Sequence, residues 1–190
     1  KHGRDTVRDS LEGYVQQADI DLLKQYMEAL KMHHAQKQTC LIEMVKLCKK
    51  HYDRAFTLLQ SIPAIKEQSA AIIISETGTD MTLFATAAAL VSWAGLRPRN
   101  DESAGKIKSR KITHGNKYLR KALMEAAWGA SRTRGSIFYN KFWRLRQRGK
   151  KQQKCTVAIA RHLLVIIWSL LSRDEYFDKE YMQKLSTGVA

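Results

Sequence analysis

The serine at position 103 lies in a strongly basic part of the chain and is the side chain best placed to do chemistry. Residues 96–123 hold nine lysines and arginines but only two acidic residues. A serine hydroxyl is a weak nucleophile that needs activation, and fixed cations stabilise the negative charge that develops when a hydroxyl attacks a phosphate. The pattern therefore predicts an anion site, with Ser103 as its candidate nucleophile.

Basic residues on both sides of Ser103 are predicted to hold that anion. Arginine carries a planar fork that binds phosphate through two hydrogen bonds, so we expect the arginines to contribute most. Ala104 and Gly105 are small enough for a phosphate backbone to approach, and His114 fits a turn better than a base. The predicted phosphate-binding residues are Arg97, Arg99, Lys106, Lys108, Arg110, Lys111, Asn116, Lys117 and Arg120.

The last three of these residues begin a predicted helix. Asn116 is a typical N-cap. Lys117, Arg120 and Lys121 place positive charge at the positive end of the helix dipole, which is unfavourable unless an anion binds there. Because helix N-termini bind phosphate well, the sequence predicts a phosphate at residues 116–120.

The net charge of +15 is unevenly distributed. Residues 1–94 hold 11 basic and 11 acidic residues, whereas residues 95–190 hold 22 basic and 7 acidic ones. An arginine-rich excess with interleaved aromatic residues, as in "FYNKFWRLRQRGKKQQK", favours a polyanionic partner, with nucleic acid ahead of a membrane surface. The chain has no run of about 18 apolar residues, so no spanning helix is predicted, and "CTVAIARHLLVIIWSLL" is interpreted as a buried helix.

Cysteine and histidine spacing gives little support for a metal site. The three cysteines are an odd number without a CxxC pair, which favours reduced structural thiols. His33 and His34 are adjacent and would diverge by about 100° on a helix. We therefore predict no metal ligand and no cofactor in this chain.

Composition and periodicity predict an all-α fold with two parts. Residues 1–57 form a coiled-coil or helical-hairpin arm, since apolar residues recur at three- and four-residue spacing without Gly or Pro from Tyr14 to Leu59. A scaffold and a dimerisation arm are both open interpretations of it. Residues 58–175 form a compact helical domain, and residues 176–190 a polar tail.

Three segments make up the predicted compact domain. Residues 61–95 suggest a helix-hairpin-helix-like unit, with Pro63 opening the first helix, Gly78 ending it and a second helix closing at Gly95. Either core packing or contact with DNA would explain this unit. The basic serine loop, residues 96–115, and further helices over residues 116–172 follow.

Five motifs in order resemble the C-terminal domain of insertion-sequence transposases of the IS110 class. They are "LLQSIPAI", "LVSWAGLRPR", "ESAGK", "GNKYLRKAL" and "VAIARHLL", and the similarity covers about residues 58–172. In that class a RuvC-like nuclease domain with four acidic metal ligands precedes a helical coil and a serine-bearing C-terminal domain. The resemblance implies that Ser103 is the nucleophile in DNA strand cleavage and exchange, and that this chain is a fragment lacking the RuvC-like domain, inactive alone.

The same resemblance implies the partners. DNA is one, a structured guide RNA is another, and a homo-oligomer forms through the helical arm, with no membrane. Mg²⁺ is implied for the missing nuclease domain, and the cytoplasm of a bacterium or archaeon, near its DNA, for the location. The alternative hypothesis is a non-catalytic DNA- or RNA-binding module in which Ser103 is incidental. A purely structural, coil-driven protein is a third, but it leaves the one-sided charge unexplained.

Overall fold

The computed structural model describes residues 3–99, 101–103, 106–109 and 112–178, of which residues 7, 11, 101–103 and 106–109 are described by their backbone alone. The chain divides into two compact units, Lys1–Glu43 and Met44–Ala190. The predicted all-α class is confirmed, with a two-stranded hairpin added. The helices are α1 Arg4–Leu11, α2 Gln17–His51, α3 Asp53–Gln60, α4 Glu67–Thr77, α5 Ala87–Trp93, α6 Lys117–Ala130, α7 Ile137–Gln147 and α8 Gln152–Arg173. The strands are β1 Asp101–Ser103 and β2 Lys106–Ser109.

The first unit contains α1 and most of α2. Helix α2 continues for 35 residues, because nothing from Gln17 to His51 breaks a helix. One of its faces carries Ile20, Leu23, Met27 and Leu30 at the three- and four-residue spacing of a single stripe, and these side chains are 39–62% exposed. The helical character predicted for this arm is confirmed, while its pairing with another helix stays a prediction.

Helix α8 is central to the second unit. It packs against α3, α5, α6 and α7, and its Ile159, Leu163 and Ile167 are fully buried. By length and composition this 22-residue helix is apolar enough to cross a membrane, although Arg161 and His162 interrupt its apolar sequence. Half of its most apolar stretch is buried inside the fold, however, and the predicted buried helix is confirmed.

The Ile-Pro motif forms a tight turn between α3 and α4. The amide of Ile65 donates to the carbonyl of Ile62 at 3.2 Å, Pro63 takes the second position, and Ala64 takes the third with φ +71°. This is the arrangement of a type II turn, in which the third position favours glycine. Pro63 therefore lies in the turn rather than at the start of a helix, contrary to the sequence prediction.

The link from α4 to α5 differs from a tight hairpin. Gly78 ends α4 with φ +69° as predicted, but residues 81–83 then form one 3₁₀ turn. Asp80 starts that turn by accepting a hydrogen bond from the Thr82 amide, and Thr86 caps α5 through the Ala89 amide. Side-chain capping thus splits the predicted second helix in two, because Asp80 and Thr86 each start a separate helical segment.

The segment after α8 is anchored to the core. Phe177 is buried and stacks on Phe138, with ring centroids 6.2 Å apart, and its amide donates to the Ser61 hydroxyl at 2.9 Å. Arg54 pairs with Asp174 at 2.8 Å. The polar tail predicted from residue 176 therefore contains a packed residue, Phe177, and its remainder from residue 179 lies outside the described residues.

Candidate functional site

Two glycines hold the ends of the basic segment together. Gly95 ends the turn after α5 with φ +70°, and a methyl group built on it would lie 2.8 Å from the Gly115 amide nitrogen. A methyl on Gly115 would meet the backbone of Ala94 and Gly95. The two backbones therefore touch, and only residues without a side chain permit this approach.

Above this contact the segment forms a hairpin instead of the predicted open loop. The Thr113 amide donates to the Arg97 carbonyl at 2.9 Å, and Pro98 forms a bridge with Ile112. Strands β1 and β2 then pair antiparallel, with Ser103 opposite Lys106 in the register. Ser103 thus ends β1, and the next two residues in sequence, Ala104 and Gly105, lie outside the described residues.

A groove of about 1360 Å³ lies beside the base of this hairpin. Its walls come from four places: the hairpin base, the first turns of α6, one side of α7, and α8 with the loop before it. The lining residues are Leu96, Pro98, Arg99, Ile112, Thr113, His114, Arg120, Lys141, Leu145, Lys150, Gln153, Lys154, Cys155, Val157, Ala158, Arg161, His162 and Val165.

The described residues that line this groove carry charges of one sign. They include six lysines and arginines and two histidines but no aspartate or glutamate. Among the described side chains, none of the six cations forms an ion pair. The sequence from residue 126 to residue 173 contains 11 lysines and arginines and no acidic residue. Such a surface attracts anions and is strained by self-repulsion without them.

Burial and the neighbouring positive charges both act on Lys141 and His162. Burial lowers the pKa of Lys141, and the neighbouring charges of Arg144 and Arg161 lower it further. Burial also lowers the pKa of His162 to about 4, with Lys141 adding to the effect. His162 is therefore neutral at pH 7. Its Nδ1 atom is buried without a hydrogen-bond partner among the described residues, and its ring packs against Phe138 at 5.6 Å.

The second unit contains a segment that is similar to known proteins. Residues 56–142 match the family model described as the Transposase IS116/IS110/IS902 family. The chain carries a domain of this transposase family. The resemblance to the IS110 class inferred from the five motifs is thus confirmed.

Curated relatives agree with the family match. The pilin gene-inverting proteins of Moraxella bovis and Moraxella lacunata are similar to this chain, at 31% identity over 134 residues and 33% over 125 residues. These alignments cover 70% and 65% of the chain, and 41% and 38% of the relatives. The insertion element IS110 uncharacterized 43.6 kDa protein of Streptomyces coelicolor is 32% identical over 139 residues, which cover 70% of the chain and 31% of that protein. The chain therefore spans less than half the length of these relatives.

The transposase-family segment contains the predicted site residues, and the structure brings some of them together. Arg99 and Arg120 both line the groove. Arg97 is exposed on the hairpin base outside it, and Lys117 is exposed with Nζ 4.9 Å from the Tyr118 ring centroid. The backbones of Ser103, Lys106 and Lys108 lie on the hairpin strands. Arg110 and Lys111 lie outside the described residues.

The start of α6 is arranged differently from the predicted phosphate site. Asn116 caps the helix as predicted, accepting hydrogen bonds from the Tyr118 and Leu119 amides at 3.0 Å. The side-chain amide nitrogen of Asn116 donates to the Glu76 carboxylate at 2.6 Å. Two backbone amides of the first helical turn are therefore already hydrogen-bonded to Asn116. Glu76 supplies the negative charge that the helix dipole favours. This arrangement weighs against a phosphate at the α6 amides, and the basic side chains remain the predicted anion ligands.

Several groove residues were not predicted from the sequence. Lys141 lies on α7, Lys150 and Lys154 flank the start of α8, and Arg161 and His162 lie within α8. Arg161 and His162 interrupt an otherwise apolar helix, and this interruption could have located them from the sequence. Two adjacent polar side chains in a core helix indicate an edge of the core that faces solvent or a ligand. Groove residues from Leu145 onward lie beyond the segment that matches the family model.

Proposed function

We propose that this chain is the nucleic-acid-binding and strand-exchanging part of a transposase. The observation that carries the proposal is the groove beside the hairpin that bears Ser103, whose described lining residues include six lysines and arginines and no acidic residue. Nucleic acids are the polyanions that a transposase handles. Their phosphates would neutralise the mutual repulsion at Lys141, so binding would release strain present in the free protein.

Phosphate recognition is assigned to the groove cations. Arg99, Arg120 and Arg161 carry guanidinium forks suited to bidentate phosphate contacts, and Lys141, Lys150 and Lys154 add point charges. They come from the hairpin base, α6, α7 and α8, so a bound strand contacts several elements at once. Arg97 and Lys117 lie outside the groove and would reach phosphates farther along the same nucleic acid.

Ser103 is proposed as the nucleophile. Its Oγ atom attacks a backbone phosphorus, the Oγ proton is lost, and one P–O bond of the strand breaks as its leaving oxygen gains a proton. A phosphoserine ester remains. The hydroxyl of another strand then attacks that ester and releases Ser103, so one strand is exchanged for another. The proposal is supported by the position of Ser103 at the end of β1, at most about 18 Å of chain from Pro98 at the groove edge.

Metal chemistry is assigned to a different part of the protein. Within the described part of the chain, no three His, Cys, Asp or Glu side chains lie together so as to hold a metal ion. The residues here do not fit the Mg²⁺ site expected of a RuvC-like domain, and none of the steps above uses one. Further copies of the chain, paired through the exposed stripe of α2, and a structured guide RNA complete the proposed assembly, which would act on DNA in the cytoplasm.

A covalent trapping experiment tests the proposed chemistry. A DNA substrate in which the leaving oxygen at the cleavage site is replaced by sulfur lets the first step proceed but blocks the return. We expect the full-length transposase to become attached to this DNA, Ser103→Ala to abolish attachment, and Ser109→Ala on the adjacent strand to leave it intact. Attachment that persists in Ser103→Ala would remove this serine from the reaction. Binding without any attachment would leave a non-catalytic nucleic-acid-binding module.

A further inference from the structure

The groove has two chemically different parts, a charged rim and an apolar floor. We infer that it binds an unpaired nucleic-acid strand, with phosphates on the rim and at least one nucleobase on the floor. This inference rests on the proposed function, because it specifies the form of nucleic acid that the groove takes.

The rim is formed by the basic ends of side chains. Arg99, Lys150, Lys154 and Arg161 are exposed, whereas Arg120 and Lys141 are half-buried. Among the described side chains, neither Arg120 nor Lys141 pairs with a carboxylate, and a half-buried charge without such a partner loses hydration and gains nothing in return. Phosphate oxygens of a bound strand would compensate that loss. The rim alone, however, fits a duplex as well as a single strand.

The apolar floor distinguishes a single strand from a duplex. Ile112, Val157 and Val165 line the groove and keep part of their surface open to solvent, as do Pro98 and Leu145. A duplex stacks its bases inside and presents mainly sugars and phosphates to a protein groove of this kind. It would cover the rim and leave the aliphatic floor wet. An unstacked base presents a flat apolar face that removes this floor from water.

Helix α8 explains why rim and floor lie side by side. Lys154, Val157, Ala158, Arg161, His162 and Val165 recur at three- and four-residue spacing, so they form one face of the helix. The buried Ile159, Leu163 and Ile167 face the core. One helix face thus alternates between cation and aliphatic side chain along the groove. The neutral ring of His162 adds a flat surface on the same face.

The size of the groove agrees with a strand rather than a single small ligand. Its volume of about 1360 Å³ exceeds the roughly 300–1,000 Å³ of pockets that hold one small molecule. Six cations spread over four structural elements match several successive phosphates better than one. The chemistry of rim and floor is shared by DNA and RNA strands, so both serve as probes.

A rival surface for bases exists on the outer side of α7. Trp143 is 47% exposed, its ring lies 6.0 Å from that of Tyr139, and neither residue lines the groove. Exposed aromatic rings also stack nucleobases. Trp143→Ala therefore provides a control variant that separates base contact on the groove floor from base contact elsewhere.

The test compares oligonucleotides with and without bases. The 190-residue chain is titrated with fluorescent eight-nucleotide strands of thymidine, of uridine and of abasic sites, and with a duplex of the same length. The rim variant is Arg161→Gln. The floor variant combines Val157→Thr with Val165→Thr, which keep the side-chain shape and replace one methyl group of each valine with a hydroxyl. Thermal unfolding of each variant verifies that it is folded.

We expect the chain to bind at least one base-containing strand about three- to tenfold more tightly than the abasic strand. The floor variant should bring this ratio close to one without changing abasic affinity. Arg161→Gln should weaken both strands by about the same factor. A ratio that survives in the floor variant, or that falls to one in Trp143→Ala, would overturn the inference. A ratio of one in the unmodified chain would also overturn the inference, but it would leave the proposed function intact. Failure to bind any strand or duplex would contradict the proposed function itself.

Discussion

Gly95 and Gly115 lie backbone against backbone, with 2.8 Å between the position of a Gly95 methyl and the Gly115 amide nitrogen. Nineteen residues separate them in sequence. Their contact fixes the base from which the serine-bearing hairpin extends, so the hairpin position depends on two residues that carry no chemistry. The amide of the next residue, Asn116, donates to the Trp93 carbonyl at 3.2 Å and continues this contact.

Gly115→Ala is therefore expected to disturb the hairpin and the groove together. The added methyl meets the backbone of Ala94 and Gly95, which cannot rotate away, and overpacking of this kind costs about 1–3 kcal/mol. Thermal unfolding should shift down by about 3–10 °C. Gly129→Ala is the matched control, since its methyl meets only the Ala64 methyl at 3.3 Å and gains helix propensity. An equal shift in both variants would contradict the proposed role of the glycine contact.

Lys141→Met is expected to stabilise the free protein and to weaken nucleic-acid binding. Burial and the charges of Arg144 and Arg161 lower the pKa of Lys141, so removing the ammonium group relieves desolvation and repulsion while the aliphatic part still packs. We expect a higher unfolding temperature at low salt and an affinity for a single strand about fivefold lower, the equivalent of one contact of about 1 kcal/mol. Lys121→Met, outside the groove, should change neither. A lower unfolding temperature in Lys141→Met would refute the repulsion.

His162 should make stability fall with decreasing pH. Its pKa is about 4 in the folded chain against 6.5 for a free side chain, so the unfolded chain binds more protons between these values. The stabilising contribution is complete above pH 6.5 and is lost as the pH falls toward 4, by at most about 3 kcal/mol. Urea unfolding at a series of pH values should show a shallower decline in His162→Gln. Identical slopes in the two proteins would be inconsistent with a buried neutral imidazole.

Ala64→Gly should stabilise the chain. Ala64 occupies the third position of the turn between α3 and α4 with φ +71°, a conformation that costs a residue with a Cβ atom about 1 kcal/mol relative to glycine. We expect an unfolding temperature about 2–4 °C higher. Ala88→Gly on the exposed face of α5 should have the opposite effect, because glycine weakens a helix interior. A decrease for Ala64→Gly would mean that its methyl contributes more than the backbone strain removes.

Much of the helical scaffold was predictable because local signals determined it. The three- and four-residue spacing of apolar residues located α2, α6 and α8, the glycines at positions 78 and 95 ended their helical segments, and Asn116 capped α6 as expected. Local signals failed at the hairpin, where pairing depends on the contact of Gly95 with Gly115 across the segment. Periodicity also missed the break between residues 78 and 86, where short-range capping by Asp80 and Thr86 was decisive.

The groove was harder to predict than the helices because its residues are distant from one another in sequence. The predicted cations lie close to Ser103 along the chain, whereas the cations of the groove come from four structural elements. Arg99 and Arg120 belong to both sets. Lys141, Lys154 and Arg161 are up to 58 residues from Ser103 in sequence and join the groove only because α7 and α8 pack against α6. Glu76, which pairs with Asn116, was missed because it lies on a different helix.

The salt dependence of single-strand binding tests the central claim most directly. For the unmodified chain, the logarithm of the association constant should fall linearly and steeply with the logarithm of salt concentration, with a slope of about −0.7 per neutralised phosphate. In a variant with Arg120, Lys154 and Arg161 all changed to alanine, the slope should become shallower by about two units. Equal slopes for the two proteins, or a flat response in the unmodified chain, would contradict the assignment of this groove as a nucleic-acid binding site.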